Sequence, residues 1–326
     1  MPQQRQTQNA QNWVPEGFER YRERYPATPP FVLPDLTPTH RFAAIWREFE
    51  DSPHKWPAAR HAHMTATLRD TTFIIIRGFL GNTMPGNSRA TLRALRTLNV
   101  DAWIANNRAG ASVDENAHDI ADQIRRRVPK SQRVFFLGHS RGGLESLQVA
   151  AEPDIAPRVA AVVMSQTPRG PSAVLESLLL NRHQQSLIGL RRIWAERLQT
   201  MGLYMMGVQK GGRELTTEEL SAVIRRVDGL PRPRALLQTA SWSSRATAWL
   251  DSFHERLGEI RPQCAHDGQF YVQDLIWPDI PHLLLPHVDH AQPVMGGFGF
   301  DDVRYWLAAI TLIVDQYLEM PNPAKS

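Results

Sequence analysis

One stretch constrains this chain more than any other: Arg-Val-Phe-Phe-Leu-Gly-His-Ser-Arg-Gly-Gly-Leu at 133–144. Val134 to Leu137 is a short apolar run that reads as a buried strand, and from Leu144 the apolar residues Leu144, Leu147, Val149 and Ala150 recur as on a helix. Between them lies Gly138-His139-Ser140-Arg141-Gly142, followed at once by Gly143. A strand fed into a helix through so few residues must turn sharply, and Gly-x-Ser-x-Gly in that setting marks a nucleophile elbow. The serine hydroxyl then stands at the helix N-terminus, where free N–H groups favour developing negative charge. The plain alternative is a glycine-rich turn with an ordinary serine; the flanking pattern and the extra Gly143 favour the nucleophile.

The rest of the chain supplies a matching scaffold. Thr71 to Ile76 is a β-branched and aromatic run, a strand, and Arg77-Gly78-Phe79-Leu80-Gly81-Asn82 follows it. Residues 88–98 read as a helix, Val100 to Ala105 as a strand, and Glu115 to Val128 as an amphipathic helix. Val159 to Met164 is the next strand. Strands alternating with helices imply a parallel sheet with right-handed crossovers. Residues 173–258 then read as mainly helical with no convincing strand, carrying apolar faces at Leu187–Leu198 and a Met/aromatic cluster at 201–206. The sheet is expected to resume with Phe270 to Ile276 and Ile280 to Leu285, and Val303 to Leu318 reads as a closing amphipathic helix.

A serine hydroxyl is a weak nucleophile at neutral pH and needs a base, itself oriented by an acid. In a nucleophile-elbow fold these follow the serine in the order acid, then base. His290 fits the base best, because it lies beyond the last expected strand and before the closing helix; His287 is the main competitor and His282 a distant one. Asp267, in Ala265-His266-Asp267-Gly268-Gln269, fits the acid, 23 residues before His290. Asp274 and Asp279 lie in the same region, Asp289 is too near His290 in sequence, and Asp251 reads as helical. An oxyanion needs two N–H donors. Arg141, after the nucleophile, supplies one, and Phe79, on the loop that Gly78 lets approach closely, supplies the other.

Composition closes off other classes. The formal charge is only +4, and the 37 basic residues, all but Lys55, Lys130, Lys210 and Lys325 being arginine, are scattered rather than grouped, so no nucleic-acid partner is expected. Cys264 is the only cysteine, which excludes an intramolecular disulfide. No apolar run approaches the ~18 residues of a membrane span, and the polar start of the chain lacks a secretory pattern; a cytoplasmic location is expected. His61-x-His63 has no carboxylate or cysteine nearby, so neither a metal nor another cofactor is expected.

Together these residues resemble the α/β-hydrolase superfamily, in particular bacterial lipases and esterases. The resemblance runs from residue 71 to about 318 and rests on Arg77-Gly78-Phe79, Gly138-His139-Ser140-Arg141-Gly142, Asp267-Gly268, Asp289-His290-Ala291 and Thr167-Pro168-Arg169-Gly170. It implies a mostly parallel eight-stranded sheet with helices on both faces, a helical lid or cap, and metal-free acyl hydrolysis. Arg77 and Arg141 depart from the residues usual at those places. The expected organisation is an extended arm at 1–40, core at 41–172, a lid or cap at 173–258, core at 259–320 and a tail at 321–326. The expected activity is hydrolysis of a small ester with an apolar acyl group through Ser140, Asp267 and His290. Thioester hydrolysis or acyl transfer by the same residues is the alternative, ahead of a non-catalytic binding protein. Surface contact with a membrane through the helical insertion stays open.

Overall fold

The computed structural model describes residues 25–29, 34–180, 201–203, 205–243 and 251–318. Six strands, β1 (Thr71–Ile76), β2 (Asp101–Ile104), β3 (Arg133–His139), β4 (Val159–Ser165), β5 (Leu236–Trp242) and β6 (His282–Pro286), form one sheet in the order β2-β1-β3-β4-β5-β6. Every pairing is parallel. The helices are α1 (Thr37–Glu48), α2 (Ala58–Leu68), α3 (Arg89–Thr97), α4 (Val113–Arg127), α5 (Arg141–Ala150), α6 (Ala173–Leu180), α7 (Gln209–Arg213), α8 (Thr217–Asp228), α9 (Asp251–Ile260), α10 (Gln292–Met295) and α11 (Asp302–Ile313). None of the described helices is long and apolar enough to cross a membrane.

Both faces of the sheet are covered, so successive strand residues feed two apolar layers. Phe73, Ile75, Phe135, Leu137, Ala161 and Val163 pack with residues of α1 and α11 on one side. Ile74, Ile76, Val134, Phe136, Val162 and Met164 pack with α4 and α5 on the other. Helix α4 starts where Ser112 and Glu115 cap each other's backbone N–H groups. The chain leaves β1 towards β2 and then returns across it to β3. Loops that follow β1 and β3 therefore part at the carboxyl end of the sheet, which is where such folds form a crevice.

Several expectations need correction. The described sheet has six strands, not eight. The fifth, β5, lies inside the 173–258 stretch that read as strand-free; Gln238, Thr239 and Ser241 are fully buried in it, and their polarity hid it. Gln238 Nε2 donates to the carbonyls of Thr167 and Leu275, and the Thr239 hydroxyl pairs with that of Tyr305, so burial leaves these groups bonded. Residues 270–276 do not form a strand. Their pairing is one isolated antiparallel bridge, His266 with Tyr271, followed by a 3₁₀ turn at Val272–Leu275. Helix α11 is buried along almost its whole length instead of being amphipathic, because α1 covers the side turned away from the sheet. Phe42 of α1 meets Tyr305 with ring centroids 6.1 Å apart, and Arg304 lies 4.3 Å from the Trp46 ring centroid. The start of α1 at Thr37 also takes the last residues of the expected arm into a helix. The rest of the arm before residue 25, the apolar face at Leu187–Leu198 and Tyr204 lie outside the described residues.

Thr39, near the start of α1, reaches the outer edge of β6. Its hydroxyl donates to the His282 carbonyl (3.2 Å) and accepts from the Leu284 N–H (3.0 Å).

Candidate active site

Ser140 follows the last residue of β3 and is the N-cap of α5, with φ 54° and ψ −128°. That conformation is costly for a residue with a Cβ and persists only where the surroundings impose it. Here they do: the Ser140 N–H is bonded to the Ser165 carbonyl of β4 at 2.8 Å, and its carbonyl accepts the Gly143 N–H at 3.0 Å. Helix α5 must then start against the end of β1. A Cβ at position 142 would lie 2.2 Å from the Ile76 carbonyl oxygen, so only glycine fits. The loop after β1 passes equally close, since a Cβ on Gly78 would stand 2.7 Å from Ser140 Cβ. Next along that loop, the Phe79 N–H has no hydrogen-bond acceptor among the described residues, and neither has the Arg141 N–H. Arg141 follows the serine in sequence, and Phe79 follows the glycine packed against it; an oxyanion needs N–H donors of this kind.

Asp267 and His290 come together from loops beyond β5 and β6. Asp267 Oδ2 lies 2.7 Å from His290 Nδ1, and the His290 N–H donates to the Asp267 carbonyl at 2.8 Å. The other carboxylate oxygen accepts the N–H groups of Gln269 (2.9 Å) and Phe270 (2.8 Å). A carboxylate with these donors acts as acceptor, so His290 Nδ1 is the donor of that contact. Nε2 has no hydrogen-bond partner among the described residues. Ser140, Asp267 and His290 are all buried, at 4%, 0% and 7% exposure, which strengthens any charge interaction formed there.

No family model and no curated protein sequence matches this chain. Solved structures do resemble it. A metagenomic carboxyl esterase superposes with a TM-score of 0.57 at 16% identity over 76% of each chain. Mature Bacillus licheniformis lipase gives 0.54 at 14% over 74% of this chain and 91% of its own, and Staphylococcus hyicus lipase 0.50 at 13% over 74% and 94%. The chain has the α/β-hydrolase fold.

Within this α/β-hydrolase fold the competing candidates fall elsewhere. His282 is buried inside β6, accepting the Trp277 N–H on Nε2 while Nδ1 donates to the Ile280 carbonyl, and burial lowers its pKa to about 4. His287 is exposed, with φ 64°. Asp289 accepts the N–H groups of Ala291 and Gln292 in its own turn. Asp279 is exposed. Asp274, whose carboxyl burial drives up to about 7, lines a separate cavity of about 990 Å³ with Arg41, Arg169 and Trp277; none of Ser140, Asp267 and His290 lines it.

Two supports of the candidate site were not assigned to named partners from the sequence. One is a pair of grips on the His290 loop. His139 Nε2 donates to the His290 carbonyl at 2.8 Å, and Gln166 Nε2 donates to the Asp289 carbonyl at 2.8 Å. Burial, and then the nearby His290, lower the His139 pKa to about 3, so its ring stays neutral. Nothing in the sequence pointed to Gln166. The other is the surroundings of Arg141, whose side chain is wholly buried beside Glu145, with Nε 3.2 Å from Oε1 but off the line of a hydrogen bond. Glu145 accepts from Asn107 and Asn116, each at 2.7 Å. Burial pushes its pKa up to about 7 against the pull of Arg141. The i,i+4 spacing of Arg141 and Glu145 was a readable signal for this pair.

Proposed function

We propose that this chain is a serine hydrolase of carboxylic esters, with Ser140 as nucleophile, His290 as base and Asp267 as the acid that orients it. The observation that carries the proposal is the Asp267–His290 contact of 2.7 Å at the end of the sheet where the Ser140 elbow lies. Ser140 Oγ attacks the acyl carbon while His290 Nε2 takes its proton. The carbonyl oxygen becomes an oxyanion bound by the N–H groups of Phe79 and Arg141. His290 then protonates the leaving alcohol, and water attacks the acyl-enzyme by the same steps. The esterase and lipase activities of the structural relatives agree with this chemistry.

An apolar acyl group suits the surroundings. Phe79 and Leu179 converge on Gly212, where a Cβ would be 3.2 Å and 2.8 Å from their side chains. Helices α6 to α8 act as the cover of the site in this proposal. Met201, Met205 and Met206, just before α7 in sequence, are exposed, and methionine adapts to varied apolar shapes.

Labelling with a fluorophosphonate tests the assignment. Wild-type protein is expected to be labelled with loss of esterase activity, and Ser140→Ala to be neither labelled nor active. Labelling that survives Ser140→Ala removes Ser140 as the nucleophile.

A further inference from the structure

The Arg141 side chain takes no part in the acyl chemistry, yet it is 0% exposed, and a buried guanidinium is tolerated only when its charge and donors are met. Its donors go to one loop: Nη1 to the carbonyls of Ala109 (3.2 Å) and Ala111 (3.1 Å), Nη2 to that of Arg108 (2.8 Å). Its charge is met by Glu145. Its guanidinium carbon lies 5.6 Å from the centroid of the Phe79 ring, within cation–π range.

The Phe79 N–H and carbonyl themselves make no backbone hydrogen bond among the described residues, and the plane of the Gly78–Phe79 peptide is held from one side only, where the Gly78 carbonyl accepts the Gly81 N–H at 3.0 Å. The ring is set between the Arg141 guanidinium and Gly212 of α7. The neighbouring Gly211 rests on the guanidinium, since a Cβ there would fall 2.2 Å from Nη1. The two residues that offer free N–H groups beside Ser140 are thus joined by their own side chains.

We infer that the Arg141 side chain is a positioning residue of the oxyanion site: by holding the Phe79 ring it fixes, together with the Gly81 N–H bonded to the Gly78 carbonyl, the direction of the Phe79 N–H. The inference rests on the ester-hydrolase proposal above. A guanidinium that only neutralised Glu145 and stapled residues 108–111 would affect stability and ground-state binding. One that aims an oxyanion donor affects the transition state selectively.

A double-mutant cycle separates the two, with Arg141→Met and Glu145→Gln made together as one arm, so that neither a buried carboxylate nor a buried guanidinium is stranded, and Phe79→Leu as the other. The probe is butaneboronic acid, which adds to a serine Oγ as a tetrahedral anion. Each arm is expected to weaken boronate inhibition about tenfold, a fraction of the loss of a whole donor. The pair should lose little more than either alone, with the KM for p-nitrophenyl butyrate within about twofold. Additive losses, or a lowered Tm with boronate affinity intact, overturn the inference. Should Arg141→Met not fold, Arg141→Lys keeps a cation for Glu145 but removes the planar face from Phe79; wild-type boronate affinity in that variant also overturns it. Fluorophosphonate labelling of the wild type is read alongside. Its absence removes the ester-hydrolase proposal itself, whereas labelling with an additive cycle removes only the role of Arg141.

Discussion

A methyl group at residue 142 would meet the Ile76 carbonyl oxygen at 2.2 Å, and backbone on both sides leaves neither partner free to move. Gly142→Ala should therefore displace α5 from β1 and shift Ser140 with it. The expected result is a lower Tm together with slower fluorophosphonate labelling; a variant that labels at the wild-type rate contradicts the close fit. At Asp267 the prediction is chemical instead. Asn keeps the shape but can offer an N–H where the carboxylate accepted from His290 Nδ1, which favours the wrong tautomer. Asp267→Asn should lower kcat by about 10³–10⁴-fold with little change in KM, measured on a soluble p-nitrophenyl ester. Ser140, Asp267 and His290 could be singled out as candidates because an elbow fixes the kind of partners and their chain order, and the structure brings Asp267 and His290 into contact. The partners of Arg141 were less legible. Glu145 stands at helical spacing from it, but three of its acceptors are loop carbonyls, which every residue possesses and no sequence pattern marks.

Elements were legible where composition and environment agree. β1, with Phe73 and three consecutive isoleucines, could only be a buried strand, and its bounds Thr71–Ile76 match those read from the sequence. β5 broke the rule: its buried Gln238 amide nitrogen and Thr239 hydroxyl find partners on β4's following loop and on α11. Residues 270–276 broke it the other way. They are apolar because they are buried, yet the chain there must curl so that the Gln269 and Phe270 N–H groups reach the Asp267 carboxylate. Asp274 lies in that curl, and its carbonyl accepts the N–H groups of Arg169 and Gly170. Burial raises its pKa from 3.8 to about 7. A raised folded value means the native state holds the proton more tightly, so the contribution is full below about pH 4 and is lost as pH rises through about 7. Asp274→Asn should remove that dependence. Its Tm relative to wild type should rise between pH 4 and pH 8, and a constant difference across that range would contradict a buried neutral carboxyl.

For the molecule as a whole, the part of the chain before β1 was the least legible, since its role depends on surfaces made much later. Phe42, Ile45 and Trp46 recur at helical spacing, yet nothing local says that this face belongs against Tyr305. The structure makes α1 a wall of the main core. Phe42 is fully buried there, so Phe42→Ala should cost about 3–5 kcal/mol of stability, read from urea unfolding. A loss below about 1 kcal/mol would mean that α1 merely rests on the surface.

The Thr39 hydroxyl has a consequence beyond folding stability. A described sheet of six parallel strands ends at β6 in a row of backbone donors and acceptors, and an exposed row of that kind templates pairing with another chain. One hydroxyl occupies an N–H and a carbonyl at its centre, those of Leu284 and His282, with α1 behind it. Thr39→Val keeps the volume and removes both bonds. It should leave the candidate active site intact while raising self-association on mild heating, seen as earlier light scattering at unchanged specific activity. That outcome would make the threonine a guard against fibre-like growth, protecting the protein from copies of itself; unchanged scattering contradicts it.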